Sequence, residues 1–388
     1  MNTHQQTVSP PLRLAMVAGE ASGDLLASLL LQGARAHWPA LQASGIGGPR
    51  MQAEGFVAHW PSEKLAVHGF SLEVLKRVAG IWRIRNQLRA RLLQERPDVF
   101  IGVDAPDFNL GLEESLREKG IKTVHFVCPS IWAWRPERVH ALKRCADHVL
   151  CLFPFEPELL QQHGIAATYV GHPLASVFPM QPDRRDARRA LGLDETGEVL
   201  ALLPGSRKSE IRYLAERFLQ AAQLLRQRRP GLRIVLPAAP GHFHHLQAWV
   251  RAQNMQDVVT VLDGQSHTAL TACDVTLIAS GTATLEAALL KRPMVIAYAM
   301  HPWSAKYMSR KQLQPWVGLP NILCREFVVP ELIQDNATPE KLADAVDAWF
   351  QDPARIAAVQ QRFSALHTDL QRDTAALSAH AIQELLAR

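Results

Sequence analysis

Asp104 stands in the run PDVFIGVDAPDFN, directly after VFIGV, five residues that read as a buried strand. A carboxylate at the carboxyl end of a parallel strand lies where ligand clefts form, and there it can take the proton of a substrate hydroxyl. Asp107 reads as the cap of the next helix. Two later segments carry anion-binding signals. LLPGSRKSE follows a strand and opens a helix, so free amides and the positive helix end face an anion. Gly205 permits close approach there, and Ser206 and Arg207 add donors. Arg207 can grip a diphosphate through two parallel bonds. ASGTATLE repeats the arrangement, with Ser280, Gly281 and Thr282 at the helix start and Glu286 one turn in, where a carboxylate can accept both hydroxyls of a ribose. Asn321 in GLPN is placed on the same ligand wall. In VAGEASGD, the Gly loop with Gly19, Glu20, Ser22 and Gly23 follows another strand and can bind a sugar. Each segment also has a plainer reading. The Gly loops are ordinary strand-to-helix turns, Thr282 as N-cap with Glu286 one turn later is a capping pattern, and Asn321 is a turn residue.

Absent signatures narrow the chemistry. GIGG lacks the last glycine of GxGxxG, and neither GxxxxGK[ST], GxSxG nor HExxH occurs. No DxD pair is present to hold a metal on a nucleotide sugar. A phosphate ligand is therefore expected on backbone amides and arginine, with no metal and no cofactor. PSIWAWR offers two tryptophans and an arginine, either a sugar platform or loop packing. His172 in VGHPLA reads as structural.

The elements that must position these residues alternate. Residues 12–18, 98–103, 123–127, 148–153 and 167–170 read as strands separated by helical patterns. After a Pro-rich, charged boundary the pattern restarts, with strands at 199–203, 233–237, 258–262, 275–279 and 294–298. The expected class is α/β, two doubly wound parallel-sheet domains facing a central cleft. The expected boundaries are 1–175, 176–340 and a helical tail over 341–388 that packs across the two domains. Thr338-Pro339 and Asp352-Pro353 predict capped helix starts in that tail.

With 388 residues, 47% hydrophobic and 20% charged, the chain can bury sizeable cores, which excludes disordered and small disulfide-stapled classes. Five scattered cysteines without a CxxC predict reduced thiols. MNTHQQTVSPP reads as no secretory signal, and no apolar run is long enough to span a bilayer. A net charge of +5, mostly arginine, suits phosphorylated small molecules or an anionic membrane surface and is too dispersed to indicate nucleic acid. Residues 65–93 form a basic amphipathic stretch in which Leu75, Val78, Ile81, Trp82, Leu88 and Leu92 share one side, readable as a membrane contact or as a helix facing the core.

Taken in order, VAGEASGD, GPRMQAEG, PDVFIGVDAPDFN, PSIWAWR, PFEPELL, VGHPLA, LLPGSRKSEI, ASGTATLE and GLPNIL resemble one family. It is the lipid-A-disaccharide synthases of Gram-negative bacteria, inverting glycosyltransferases of the two-Rossmann-domain GT-B type. The likeness covers nearly the whole chain, loosely before residue 12 and after 342. It implies metal-free transfer of 2,3-diacylglucosamine from UDP-2,3-diacylglucosamine to the 6-hydroxyl of 2,3-diacylglucosamine 1-phosphate, giving a β-1,6 disaccharide 1-phosphate and UDP. It also implies a peripheral protein on the cytoplasmic face of the inner membrane and a homodimer exchanging C-terminal segments. By motif, Asp104 matches the family's essential aspartate, and Glu20, Arg207, Glu286 and Asn321 match site residues. His68, Ser71 and Glu73 interrupt a region that is more apolar in the family. A UDP-N-acetylglucosamine 2-epimerase, another UDP-sugar transferase, or a nucleotide-sugar-binding membrane protein without activity would share this architecture.

Overall fold

The computed structural model describes residues 11–19, 21–61 and 72–388. The chain divides into two compact units, one of residues 1–173 with 370–388 and the other of 174–369. The segment 341–388, expected as one tail, is thus split between them.

In the first unit the order along the chain is β1 (Arg13–Ala18), α1 (Ala21–His37), β2 (Gln42–Gly47), α2 (Pro49–Ala53), β3 (Val57–Pro61), α3 (Leu72–Glu95), β4 (Val99–Val103), α4 (Pro106–Arg117), β5 (Lys122–Phe126), α5 (Arg138–Cys145), β6 (His148–Cys151), α6 (Glu156–Gln162) and β7 (Ala167–Tyr169). These strands form one sheet in the order β3-β2-β1-β4-β5-β6-β7, all pairs parallel. β1 is apolar on both faces because helices cover both. Leu14, Met16 and Ala18 enter one core cluster with α1, while Ala15 and Val17 enter another with Leu88, Leu92, Phe108 and Leu112. Each such leucine contributes about 1.5–3 kcal/mol by leaving water.

The second unit runs through α7 (Pro173–Val177), α8 (Arg184–Ala190), β8 (Val199–Leu203), α9 (Lys208–Arg228), β9 (Arg233–Ala238), α10 (Phe243–Ala252), β10 (Val259–Asp263), α11 (Ser266–Ala272), β11 (Val275–Ala279), α12 (Thr282–Leu289), β12 (Met294–Tyr298), α13 (Pro302–Ser309), α14 (Leu319–Cys324), β13 (Glu331–Ile333), α15 (Pro339–Gln351) and most of α16 (Pro353–Leu370). Its parallel sheet has the order β10-β9-β8-β11-β12-β13. The expected caps are present: Thr338 Oγ1 accepts from the Lys341 amide at 3.3 Å, and Asp352 Oδ1 from the Arg355 amide at 2.9 Å.

α17 (Thr374–Leu386) returns to the first unit and packs on α1, burying Ala381, Ile382 and Leu385 in its core. The approach is close: a Cβ on Gly33 would stand 2.0 Å from the Ala375 carbonyl oxygen.

In both sheets the order in which strands are added reverses at the strand that opens the unit, β1 beside β4 and β8 beside β11. Loops leaving a parallel sheet at such a switch point diverge and open a crevice. Register decides which residues meet there. Ala18 pairs with Val103, so Gly19 and Asp104 leave the first sheet side by side. Leu203 pairs with Ile278, so the loop of Gly205 and that of Ser280 leave the second sheet together.

Candidate functional site

The second unit holds a cleft of about 390 Å³ at its switch point. Ser206, Arg207, Ser280, Gly281, Thr282 and Glu286, predicted from two motifs more than seventy residues apart, all line it. The end of β9, the loops after β9 and β10 and the start of α11 complete the wall with Pro237–Pro240, Gly264 and Ser266, none of which the motif reading had included.

The details differ from expectation in instructive ways. Gly281, not Thr282, caps α12 without a side-chain cap bond, and the Thr284 hydroxyl donates to the Gly281 carbonyl at 2.8 Å. Glu286 does not reach back to the cap. Its Oε2 lies 3.5 Å from His267 Nε2 on α11, and that contact raises the histidine's pKa. His267 also meets the Phe178 ring edge-on, with centroids 4.8 Å apart. The Ser280 hydroxyl donates to the Val317 carbonyl at 2.9 Å, tying the loop before α14 to the cleft floor.

Asn321 does not line this cleft. It is fully buried; its amide donates to Val329 O at 2.9 Å and Glu331 Oε1 at 2.8 Å, and its Oδ1 accepts from the Val329 amide at 3.0 Å. Glu331 also accepts from the Val317 and Gly318 amides, both at 2.9 Å. Asn321 therefore shapes the wall from behind, locking the 317–318 loop that Ser280 grips from the front.

The first turn of α9 contains a residue the motif reading missed. Glu210 Oε2 accepts from the amides of Ser206 at 3.0 Å and Arg207 at 3.2 Å, the two amides expected to meet an anion. Its Oε1 lies 3.6 Å from Arg207 Nη1, and the Arg207 side chain remains 80% exposed. Gly205 has φ +118°, and a Cβ there would fall 2.5 Å from Glu210 Cβ and Oε2, so the glycine makes room for the carboxylate. The legible signal was a glutamate three residues after the helix cap, the acidic half of a capping box.

In the first unit Asp104 sits half-buried with φ +51°, and Ala105 follows at φ +44°. Val127, leaving the neighbouring β5, has φ +84°, an outlier for a β-branched residue. Left-handed backbone costs about 1–2 kcal/mol per non-glycine residue, and such strain clusters where a side chain must be aimed. Asn109 holds the turn: its Nδ2 donates to Asp104 O at 2.8 Å and Val103 O at 3.4 Å, while the Asp104 amide donates to Phe126 O at 2.8 Å. Beneath lies a fully buried pair, His125 Nδ1 to Glu113 Oε1 at 2.8 Å, with Cys145 Sγ donating to Glu113 Oε2 at 3.2 Å. A Cβ on Gly102 would strike Glu113 Oε1 at 2.0 Å.

Asp107 does not cap α4; its carboxylate pairs with Arg138 Nη2 at 2.7 Å. Gly19 and Gly23 are buried and Ser22 exposed; a Cβ on Gly23 would lie 3.5 Å from Ala18 Cβ and 3.7 Å from Val103 O, so α1 starts close against β1 and β4. Glu20 lies outside the described residues. Asp24, the last residue of GEASGD, caps α2 by accepting from the amides of Gly48, Arg50 and Met51. In PSIWAWR, Trp132 is packing: it meets Phe153 and Phe155 edge-on and donates to buried Glu156 at 3.0 Å. His172 stacks on Phe153, and burial lowers its pKa to about 4, so it is neutral. Of residues 65–93, those from 65 to 71 lie outside the described residues, as do the side chains of Leu75 and Val78. In α3, Leu88 and Leu92 face the core, but Trp82 does not join them: it is 55% exposed beneath the Arg85 guanidinium. Among the described residues no group of three or more His, Cys, Asp or Glu could hold a metal, and no helix is long and apolar enough to cross a membrane.

Two Rossmann-like units with their loops at the switch points define the GT-B class. The solved structures agree in fold. A putative UDP-N-acetylglucosamine 2-epimerase from Listeria monocytogenes superposes with a TM-score of 0.65 at 11% identity, covering 97% of this chain and 95% of that one. A glycosyltransferase from Rickettsia africae gives 0.60 at 11%, covering 97% of each. At that identity the likeness is one of fold alone. The sequence comparisons decide the family. The lipid-A-disaccharide synthetase family model matches residues 14–385. The lipid-A-disaccharide synthase of Albidiferax ferrireducens is 62% identical over 383 residues, 98% of each chain, and that of an Azoarcus species 52% identical over 377, 97% of this chain and 96% of that one. The chain belongs to the lipid-A-disaccharide synthase family and is a glycosyltransferase.

Proposed function

We propose that the chain joins UDP-2,3-diacylglucosamine to 2,3-diacylglucosamine 1-phosphate, with the donor's nucleotide in the cleft of the second unit and Asp104 of the first unit as the base. The carrying observation is the convergence of Ser206, Arg207, Ser280, Gly281, Thr282 and Glu286 on one cleft. Glu286, steadied by His267, accepts the ribose hydroxyls. The start of α12 and the 205–207 loop take the diphosphate, for which Glu210 must give up its two amides. Arg207, exposed and loosely held, swings onto the same oxygens. Asp104 removes the proton from the attacking 6-hydroxyl, the anomeric carbon inverts, and UDP leaves with its growing charge met by amides and guanidinium. Gly19, Glu20, Ser22 and Gly23, on the loop beside Asp104, contact the acceptor. The reaction takes place at the cytoplasmic face of the inner membrane, with residues 65–93 as one contact. The docking of α17 on α1 is the interaction that a dimer exchanging C-terminal segments would form between subunits, and light scattering reads that state.

A labelled donor-plus-acceptor assay with thin-layer separation tests the reading. Asp104→Ala should abolish turnover with UDP affinity unchanged. Arg207→Ala should lower the rate by about 10²–10³-fold. The wild type should work equally well with chelator. A folded Asp104→Ala variant at wild-type rate removes Asp104 as the base.

A further inference from the structure

α13 has no buried residue. An eight-residue helix is marginal in water by itself, and most helical stability in proteins comes from burying one face. Here that face carries Trp303, 78% exposed, and Tyr307, one turn later and 58% exposed. Leu313, past the helix end, is 53% exposed. No residue from 301 to 313 is buried. The charge around them is one-sided. Residues 287–325 contain no aspartate or glutamate. Of the six lysines and arginines in that run, Lys291 and Arg292 are buried, and Lys306, Arg310, Lys311 and Arg325 are exposed. Lys311 Nζ lies 5.0 Å over the Tyr307 ring.

We propose that α13 and the residues after it to Leu313 lie on an anionic lipid bilayer, as the second unit's own membrane contact. The proposal rests on the membrane-surface reading above and assigns it a second place. Tryptophan and tyrosine settle at the headgroup level, with the ring in the acyl boundary and the polar edge in water. Lysines and arginines beside them meet acidic headgroups, each strengthening binding about fivefold. No described helix can cross the membrane, so the segment lies along the surface. A second copy of the chain is the poorer occupant, since a basic patch on a molecule of net charge +5 meets like charge. The donor cleft takes no lining residue from 301–313, so α13 can be altered without touching it.

The test is co-sedimentation of the full chain with phosphatidylcholine vesicles, with and without phosphatidylglycerol. The variants are Trp303→Ser with Tyr307→Ser, and Lys306→Ser with Arg310→Ser and Lys311→Ser. The aromatic variant should bind phosphatidylglycerol vesicles about tenfold more weakly or worse. The cation variant should lose on the order of 10²-fold and most of its salt sensitivity. Both should keep wild-type UDP affinity and melting temperature. If wild type binds and both variants bind as well, α13 is not a membrane contact, while the reading of residues 65–93 stands. If wild type binds no vesicle, both readings fail. Unchanged vesicle binding with a smaller mass by light scattering assigns the face to a second copy. Unchanged vesicle binding with a raised KM for the acylated donor alone assigns it to substrate acyl chains. Either result overturns the proposal.

Discussion

Replacing Glu210 by glutamine should tighten UDP binding while loosening the helix that binds it. The Glu210 carboxylate holds the Ser206 and Arg207 amides at 3.0 and 3.2 Å, and its side chain is only 14% exposed. A diphosphate needs the same two donors, so carboxylate and ligand compete. A hydrogen bond to a charged group is worth about 1.5–3 kcal/mol. The neutral amide of glutamine keeps the geometry at about half that strength. Two weakened bonds leave about 1.5–3 kcal/mol less to break, which lowers the UDP Kd about tenfold to a hundredfold. The same loss falls on the ligand-free fold, so the start of α9 weakens by about 1.5–3 kcal/mol and Tm drops by about 3–12 °C. Calorimetric titration with UDP and a thermal scan therefore move in opposite senses. A glutamine variant that binds UDP more weakly, or as the wild type does, refutes the competition and leaves Glu210 as a helix cap whose amides the diphosphate does not use.

Asn109→Ala frees the carbonyl of Asp104 from its clamp, so kcat should fall on the order of 10²-fold with UDP affinity unchanged, read by steady-state kinetics and titration. Burial raises Glu156 from 4.5 to about 8 despite hydrogen bonds from Phe153 N and Trp132 Nε1 that pull it down. The folded state thus binds its proton more tightly than the unfolded state. That contribution to stability is complete below pH 4.5 and lost as pH rises through about 8, with a slope of about 1.4 kcal/mol per pH unit between. Glu156→Gln should flatten this window in denaturant titrations, and parallel curves for the two proteins would discard the assignment. Gly33→Ala drives a methyl into the Ala375 carbonyl and should destabilise the docking of α17 by about 1–3 kcal/mol, visible as faster amide exchange in α17.

Several strands escaped the sequence reading for one reason. β2 is QASGIG and β3 is VAHWP, poor in the β-branched runs that mark a strand, and β13 is three residues long. They are strands because β1, β2 and β12 offer them a parallel edge, a tertiary cause with no local signature. Trp82 fails differently: helical spacing puts it within reach of the apolar side, yet Ile81 and Ile84 take the places against the core and Arg85 covers the Trp82 ring instead.

The residue pattern alone determined the alternation of buried strands and helices, the two Gly-loop helix starts and the aspartate at a strand end, because each is set by local periodicity and turn chemistry. It also carried the family, through motifs strung in order along the chain. Only the tertiary structure decided which polar groups remain available to a ligand. Asn321 and Ser280 are drawn into holding the 317–318 loop, Asp24 into capping α2, and Glu210 onto amides that read as an empty anion site. The physical reason is that a polar group's partners are fixed by whatever the fold packs beside it, and strand register, not sequence distance, brings the loops of Gly205 and Ser280 to the same cleft.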